Sequence, residues 1–380
     1  MKILHIINSL KKGGAEGNLY RLCKFQKKKY KENIKITIIT LIRNGYYELE
    51  LKKMGVKIFS LDISKKNKLF NFIGKIKIFR NLITKENPNI IQSWMYHSNF
   101  ISLFTPKIKK RRIFWNIRHS DLNLRISKKI TICLSFICGF FSRVVPKKII
   151  YCSEKSIKFH EKKHFYSKHK TVLIDNGYSD KIFFKSNTLR SIFRKKNNIK
   201  EKDIILGYAG RYAKQKNINS LLKAFSKIVK NNKNTYLYMV GKDINQKNKE
   251  LTNVIHQEGL RGKIFLLKEQ KNLLKFYNGI DFLVLVSHSE SFPNVVAESM
   301  LCSTPVLSSD AGCSKRIINE KDFVIKKNDY LSIASGLKKM IKIFFKKNKW
   351  NILKKSARVQ IQKNFSLEKM SNKYFENWIF

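Results

Sequence analysis

The chain has 380 residues, with 79 Lys+Arg against 26 Asp+Glu and a formal net charge of +53. Hydrophobic residues make up 43%, with 27 Phe and 15 Tyr, which excludes a disordered chain and supplies material for two cores of ordinary size. The charge fits either an anionic partner (a membrane surface, a phosphorylated substrate, nucleic acid) or compositional drift, since Lys is spread over every segment while Pro (5) and Gly (16) are scarce.

Taken in chain order, short apolar runs at 2–8, 34–41, 56–63, 89–95, 112–118, 147–153 and 171–177 read as strands, and helix-like spacing fills most of the gaps, as at 69–84. Near-continuous β-branched runs separated by helices predict βα units around a buried parallel sheet. From 178 to about 201 the pattern turns polar. It restarts with strands expected at 204–211, 235–242, 263–270, 281–287 and 304–309. The expected fold is therefore α/β, with two doubly wound Rossmann-like domains facing a central cleft: 1–185, 186–365, and a final helix at 366–380 returning to the first domain. Open α/β sheets bind ligands at the carboxyl ends of their strands, which directs attention to the loops there.

The loop after the first strand reads NSLKKGGAEGN. Gly13 and Gly14 allow close approach of backbone to a ligand, and the helix that follows can face an anion; a plain glycine turn has the same sequence. After strand 204–211, Arg211 and Lys216 are two cations suited to a diphosphate. The stretch SESFPNVVAES carries two scarce acids, Glu290 and Glu298, with seven residues between them. Pro293 favours the first turn of a helix running from Asn294 to about Leu301, with Phe292 and Val295 flanking its start. A carboxylate accepts hydrogen bonds from vicinal hydroxyls, and a helix start attracts phosphate. The spacing suits a ligand made of sugar, diphosphate and ribose.

Six Cys form no CxxC pair, and no zinc-finger, RNP-type or helix-turn-helix signature accompanies the basic clusters. No specific nucleic-acid partner is expected. HEKKH at 160–164 matches the HExxH pattern, but no companion ligand motif follows it. The apolar window 130–141 is shorter than the roughly 20 residues that span a bilayer. No signal peptide precedes the first strand, so a cytoplasmic location is expected. Lysines flank that window at 128, 129, 147 and 148, which fits either docking on an anionic membrane surface or a helix packed on its own domain.

The motifs GGAE (13–16), WMYHSN (94–99), WNIRHS (115–120), IDNGYSDKIF (174–183), AGRYAKQKN (209–217) and SESFPNVVAESMLCSTPVLSSD (289–310) together resemble family 4 glycosyltransferases of the GT-B fold. The resemblance implies retaining transfer from a nucleotide diphosphate sugar, UDP-linked, with no cofactor and no metal; the absence of an Asp-x-Asp motif agrees. It implies a saccharide or lipid-linked acceptor in capsule, O-antigen or other surface polysaccharide synthesis. It assigns Arg211 and Lys216 to the donor diphosphate, Glu290 to the donor sugar, Glu298 to the ribose, and Gly13 and Gly14 to the phosphates. Phe292, Pro293, Asn294 and Val295 form the rest of the donor loop. His119 matches the family's active-site histidine, with His97 as the competing position. Ser291, Ser303, Cys313 and Arg316 depart from the family pattern, which bears on base and sugar preference. A GT-B sugar phosphorylase or epimerase is the alternative reading.

Overall fold

The computed structural model describes residues 1–43, 45–63, 69–108, 110–122 and 127–379. It divides into two compact units, Met1–Gly177 with Leu367–Phe380, and Tyr178–Ser366.

The first unit holds seven parallel strands: β1 (Lys2–Ile7), β2 (Lys35–Thr40), β3 (Lys57–Ser60), β4 (Ile90–Trp94), β5 (Arg112–Ile117), β6 (Lys148–Tyr151) and β7 (Thr171–Leu173). Their order is β3-β2-β1-β4-β5-β6-β7. β1 and β4 are hydrogen-bonded neighbours with Ile3 opposite Ile90 and His5 opposite Gln92. Winding reverses between these two strands, so the loops after β1 and β4 diverge at their carboxyl ends, the usual ligand position of such sheets. Every residue of β4 is buried, as expected where helices cover both faces.

The last helix, Leu367–Ile379, completes this unit's core. Leu367, Met370, Tyr374 and Trp378 recur at helical spacing and pack with Leu19, Leu22, Ile36 and Trp94. Its polar tips are matched as well. Trp378 Nε1 donates to Gln92 Oε1 at 3.0 Å, and Asn116 and Arg118 both donate to the Tyr374 hydroxyl.

The second unit contains β8 (Ile204–Ala209), β9 (Thr235–Val240), β10 (Ile264–Leu266), β11 (Phe282–Leu285), β12 (Val306–Ser309) and β13 (Val324–Ile325). The order β10-β9-β8-β11-β12-β13 again has one reversal, between β8 and β11. The helix Ile218–Val229 buries Ile218, Leu221, Leu222, Phe225 and Ile228, one stripe of an amphipathic surface. Among the described residues no helix is long and apolar enough to cross a membrane.

Candidate active site at the second sheet's switch point

The reversal between β8 and β11 brings the loops after both strands together. The β8 loop tightens into a 3-10 turn at Lys214–Lys216, and Asn217, at φ +54, redirects the chain into the helix Ile218–Val229. The turn is tied to its neighbours on two sides. His288 N donates to Gln215 O at 2.8 Å, and Asn217 Nδ2 donates to Asn328 O at 3.0 Å. Asn328 Nδ2 in turn donates to Val286 O at 2.7 Å, beyond the end of β11.

This bracing carries Lys216 to Glu290. The Lys216 ammonium donates to Glu290 Oε1, and the same oxygen accepts from Ser287 Oγ at 2.7 Å. The paired side chains are only 14% and 13% exposed. Ser287 is held by its own carbonyl, which accepts from Ser309 Oγ at 2.6 Å. Gly312, at φ +60, packs against the carbonyls of Glu290 and Ser291 so closely that a Cβ would collide with both. Arg211 lies in the same β8 loop with its side chain exposed, and its carbonyl accepts from the Tyr208 hydroxyl at 3.3 Å.

Pro293 caps the helix Asn294–Leu301, where a missing N–H costs no intrahelical bond. Asn294 Oδ1 accepts from the Tyr178 hydroxyl, and Phe292 is buried with its ring centroid 6.2 Å from that of Tyr178. Val295 is half-buried. Glu298 accepts from the Tyr277 hydroxyl at 3.0 Å. Burial first, and the Glu298 charge second, push the Tyr277 phenol far up, which keeps it a donor. The site thus brings Lys216, Glu290 and the start of the helix together and hangs Glu298 on the same helix. Ser287 and Tyr277 escape a reading by motif, and Tyr178 lies within the stretch 174–183 with no role assigned to it there.

In the first unit, Gly13 caps the helix Gly14–Tyr30 in extended conformation, and the Glu16 carboxylate folds back over it where a Cβ would clash. Burial raises the Glu16 carboxyl, while its own backbone N–H and Ser9 partly offset this. The Glu16 carboxyl thus lies over the start of this helix. His119 follows β5, exposed, with its ring centroid 5.7 Å from that of Tyr96; its carbonyl accepts from Ser156 Oγ. His97 is half-buried in the helix Met95–Ser102 and held below its ordinary value by burial and then by Lys128. Met95, at the carboxyl end of β4, has φ +71, a conformation costly for a long side chain and placed where the first sheet reverses.

The HEKKH histidines serve the fold. His160 Nδ1 donates to Ser156 O at 2.7 Å, so Nε2 accepts from the Tyr96 hydroxyl, also at 2.7 Å. The carbonyl can only accept, which fixes the tautomer. His164 Nδ1 bonds Ser135 Oγ at 2.6 Å. Among the described residues no cluster of three or more His, Cys, Asp or Glu could hold a metal ion.

Two doubly wound parallel sheets, each with ligand-suited loops at its reversal, define the GT-B class of fold. The family model for glycosyl transferases group 1 matches residues 190–359, which lie within the second unit. The capsular polysaccharide biosynthesis glycosyltransferase CapM of Staphylococcus aureus is 24% identical over 329 residues, covering 80% of this chain and 84% of the relative. CapH of the same organism, also a capsular polysaccharide biosynthesis glycosyltransferase, is 24% identical over 313 residues, covering 82% and 81%. Anabaena Alr3699/HepE, solved in complex with UDP-glucose, superposes with a TM-score of 0.81 at 18% identity, over 99% of this chain and 98% of that one. The chain is a glycosyltransferase of the GT-B fold.

Proposed function

We propose that the chain transfers a sugar, with retention and without a metal, from a UDP-linked donor to a lipid-linked saccharide during capsular or related surface polysaccharide synthesis at the cytoplasmic face of a membrane. The observation that carries this reading is the mostly buried Lys216–Glu290 pair beside the helix start at the second sheet's reversal. The capsular role of CapM and CapH and the UDP-glucose bound to HepE support the substrate class.

In this reading the bond between the anomeric carbon and the β-phosphate oxygen breaks, and the acceptor oxygen bonds to the same face of that carbon. The departing phosphate oxygen takes the acceptor's proton, so the nucleotide leaves as a diphosphate. Arg211, Lys216 and the N–H groups opening the helix Asn294–Leu301 stabilise the charge that grows on that oxygen; one preorganised donor of this kind is worth about 10²–10³ in rate. Glu290, held in place by Ser287 and Lys216, accepts from the sugar hydroxyls, and Glu298 accepts from the ribose. Pairing with Lys216 keeps Glu290 oriented, and an arriving diphosphate shares the ammonium. His119, Gly13 and Gly14 keep the roles that the family resemblance implies.

A thermal-shift screen of nucleoside diphosphate sugars tests the donor assignment. UDP-sugars should raise the melting temperature above GDP- and ADP-sugars; no response to any of them would overturn it. Nucleotide release measured with and without saccharide acceptor separates transfer from the phosphorylase and epimerase alternatives.

A further inference from the structure

The first unit has a cavity of about 690 Å³ far from the loops discussed above. Arg112 and Ile113 open β5, Lys147 precedes β6 and Lys170 precedes β7, so the cavity sits at the amino ends of these strands. In a parallel sheet that is the edge opposite the carboxyl ends that carry Gly13 and His119. Its size falls in the range of small-ligand sites.

Five cations line it: Lys107, Arg111, Arg112, Lys147 and Lys170; no carboxylate is among its described lining residues. Arg111 Nη1 donates to Pro106 O at 2.9 Å, Arg112 Nη1 to Trp378 O at 3.0 Å, and Lys170 Nζ to Arg143 O at 2.6 Å. Carbonyl partners fix Arg111, Arg112 and Lys170 without cancelling their charge. Burial pulls Arg111 and Lys170 below their ordinary values. The remaining wall is apolar, including Ile108, Val144 and Pro146.

Val144 also borders an exposed apolar surface. The inner face of the helix Lys129–Phe141 packs so closely that a Cβ on Gly139 would strike the His164 carbonyl. This fixes the helix's rotation and leaves Cys133, Phe136 and Phe140 on its outer face, at the spacing where a soluble helix normally carries polar groups. Phe140 is 68% exposed and Val144 79%. Phe165 adjoins Phe136, with ring centroids 6.2 Å apart, and is 60% exposed at φ +62, a conformation that a bulky residue adopts only under constraint. An aromatic surface beside a cationic cavity is complementary to an amphiphile with an anionic head.

We propose that this edge of the first unit binds the headgroup of an anionic phospholipid in the cavity while Phe136, Phe140 and Val144 seat in the bilayer beside it. The proposal rests on the membrane location advanced above and is independent of the chemistry at Glu290. The test is sedimentation of the full chain with vesicles of phosphatidylcholine alone or mixed in equal parts with phosphatidylglycerol. Binding should require phosphatidylglycerol and weaken as salt shortens the Debye length below about 8–10 Å. Lys107→Glu with Lys147→Glu should lower vesicle affinity at least about tenfold. Phe140→Ser with Val144→Ser should lower it as well, even at low salt. Lys230→Glu with Lys233→Glu, an equal charge change on the second unit, should leave it near wild type. Unchanged melting temperature and unchanged nucleotide release from soluble donor would show that the first two variants remain folded and that transfer chemistry is separate. Equal loss in the Lys230/Lys233 variant, binding to phosphatidylcholine alone, or no vesicle binding would overturn the proposal. Absent nucleotide release with intact vesicle binding would instead refute the transferase reading only.

Discussion

Glu290→Ala and Lys216→Ala probe the same ion pair from opposite sides, and the structure predicts unequal outcomes for stability. Among the described residues, Glu290 is the carboxylate that Lys216 pairs with, at a site where both side chains are mostly buried. Removing one member of a fully buried pair costs about 3–5 kcal/mol, and residual water access here lowers the expected cost to about 1–3 kcal/mol. Glu290→Ala strands the ammonium. Lys216→Ala leaves Glu290 with the Ser287 hydroxyl at 2.7 Å, so its cost should be the smaller of the two. In the double variant the stranded charge disappears with its partner, and a double-mutant cycle should return a coupling of about 1–3 kcal/mol. On turnover, each single variant should lose at least about a hundredfold if, as proposed, Lys216 serves the departing diphosphate and Glu290 the donor sugar. Denaturant melts give the stabilities, and nucleotide release at saturating donor gives turnover per folded enzyme. Near-normal turnover in either variant refutes the catalytic assignment. Additive stabilities refute the coupling.

Ser303 sits at φ +60 just past the helix Asn294–Leu301, a left-handed position that glycine adopts without strain. Ser303→Gly should therefore raise stability by about 0.5–1 kcal/mol after glycine's own entropic cost, measured by denaturant melts; a loss of stability would show that the serine side chain has a compensating role. His160 and His5 are held by burial at about 3, against 6.5 when unfolded. The unfolded chain then binds more protons below pH 6.5, so each histidine's contribution is lost as pH falls from 6.5 towards 3, by at most about 1.4 kcal/mol per pH unit. His160→Gln should flatten that acid slope; an unchanged slope would place the sensitivity elsewhere. In the proposed reading Arg211 and Lys216 carry the charge a metal would bring, so nucleotide release should withstand EDTA; activity abolished by EDTA and restored by Mn²⁺ or Zn²⁺ would contradict this.

The strands were legible because a parallel sheet buried on both faces writes itself as unbroken apolar runs. The expected run 2–8 is β1 at Lys2–Ile7, and 204–211 contains β8 at Ile204–Ala209. The run 171–177 yields only Thr171–Leu173, because pairing with β6 ends at Leu173 opposite Tyr151, the last residue of that strand. The helix at Asn294–Leu301 was readable from Pro293 and the acids around it. What the acids touch was not. The Ser287 and Tyr277 hydroxyls reach Glu290 and Glu298 through loop bracing and sheet order, which leave no local pattern. The cationic cavity lies further still from the sequence, since its lining residues run from Ser102 to Lys170 and only the strand order gathers them.

The second unit is an insertion in the first: the chain leaves the first unit at Gly177 and re-enters it at Leu367. During synthesis, Met370, Tyr374 and Trp378 reach the ribosome exit only after every residue of Tyr178–Ser366 has passed it. Until then the pocket for these side chains against Leu19, Ile36 and Trp94 stays unfilled, and the Arg118 guanidinium lacks the Tyr374 hydroxyl. The usual vectorial order, amino-terminal domain first, is thereby inverted. The second unit can reach its native state on the nascent chain while the first waits, incomplete and exposed to chaperones and proteases. A ribosome that stalls within the final helix would release a chain whose second unit is finished and whose first is not.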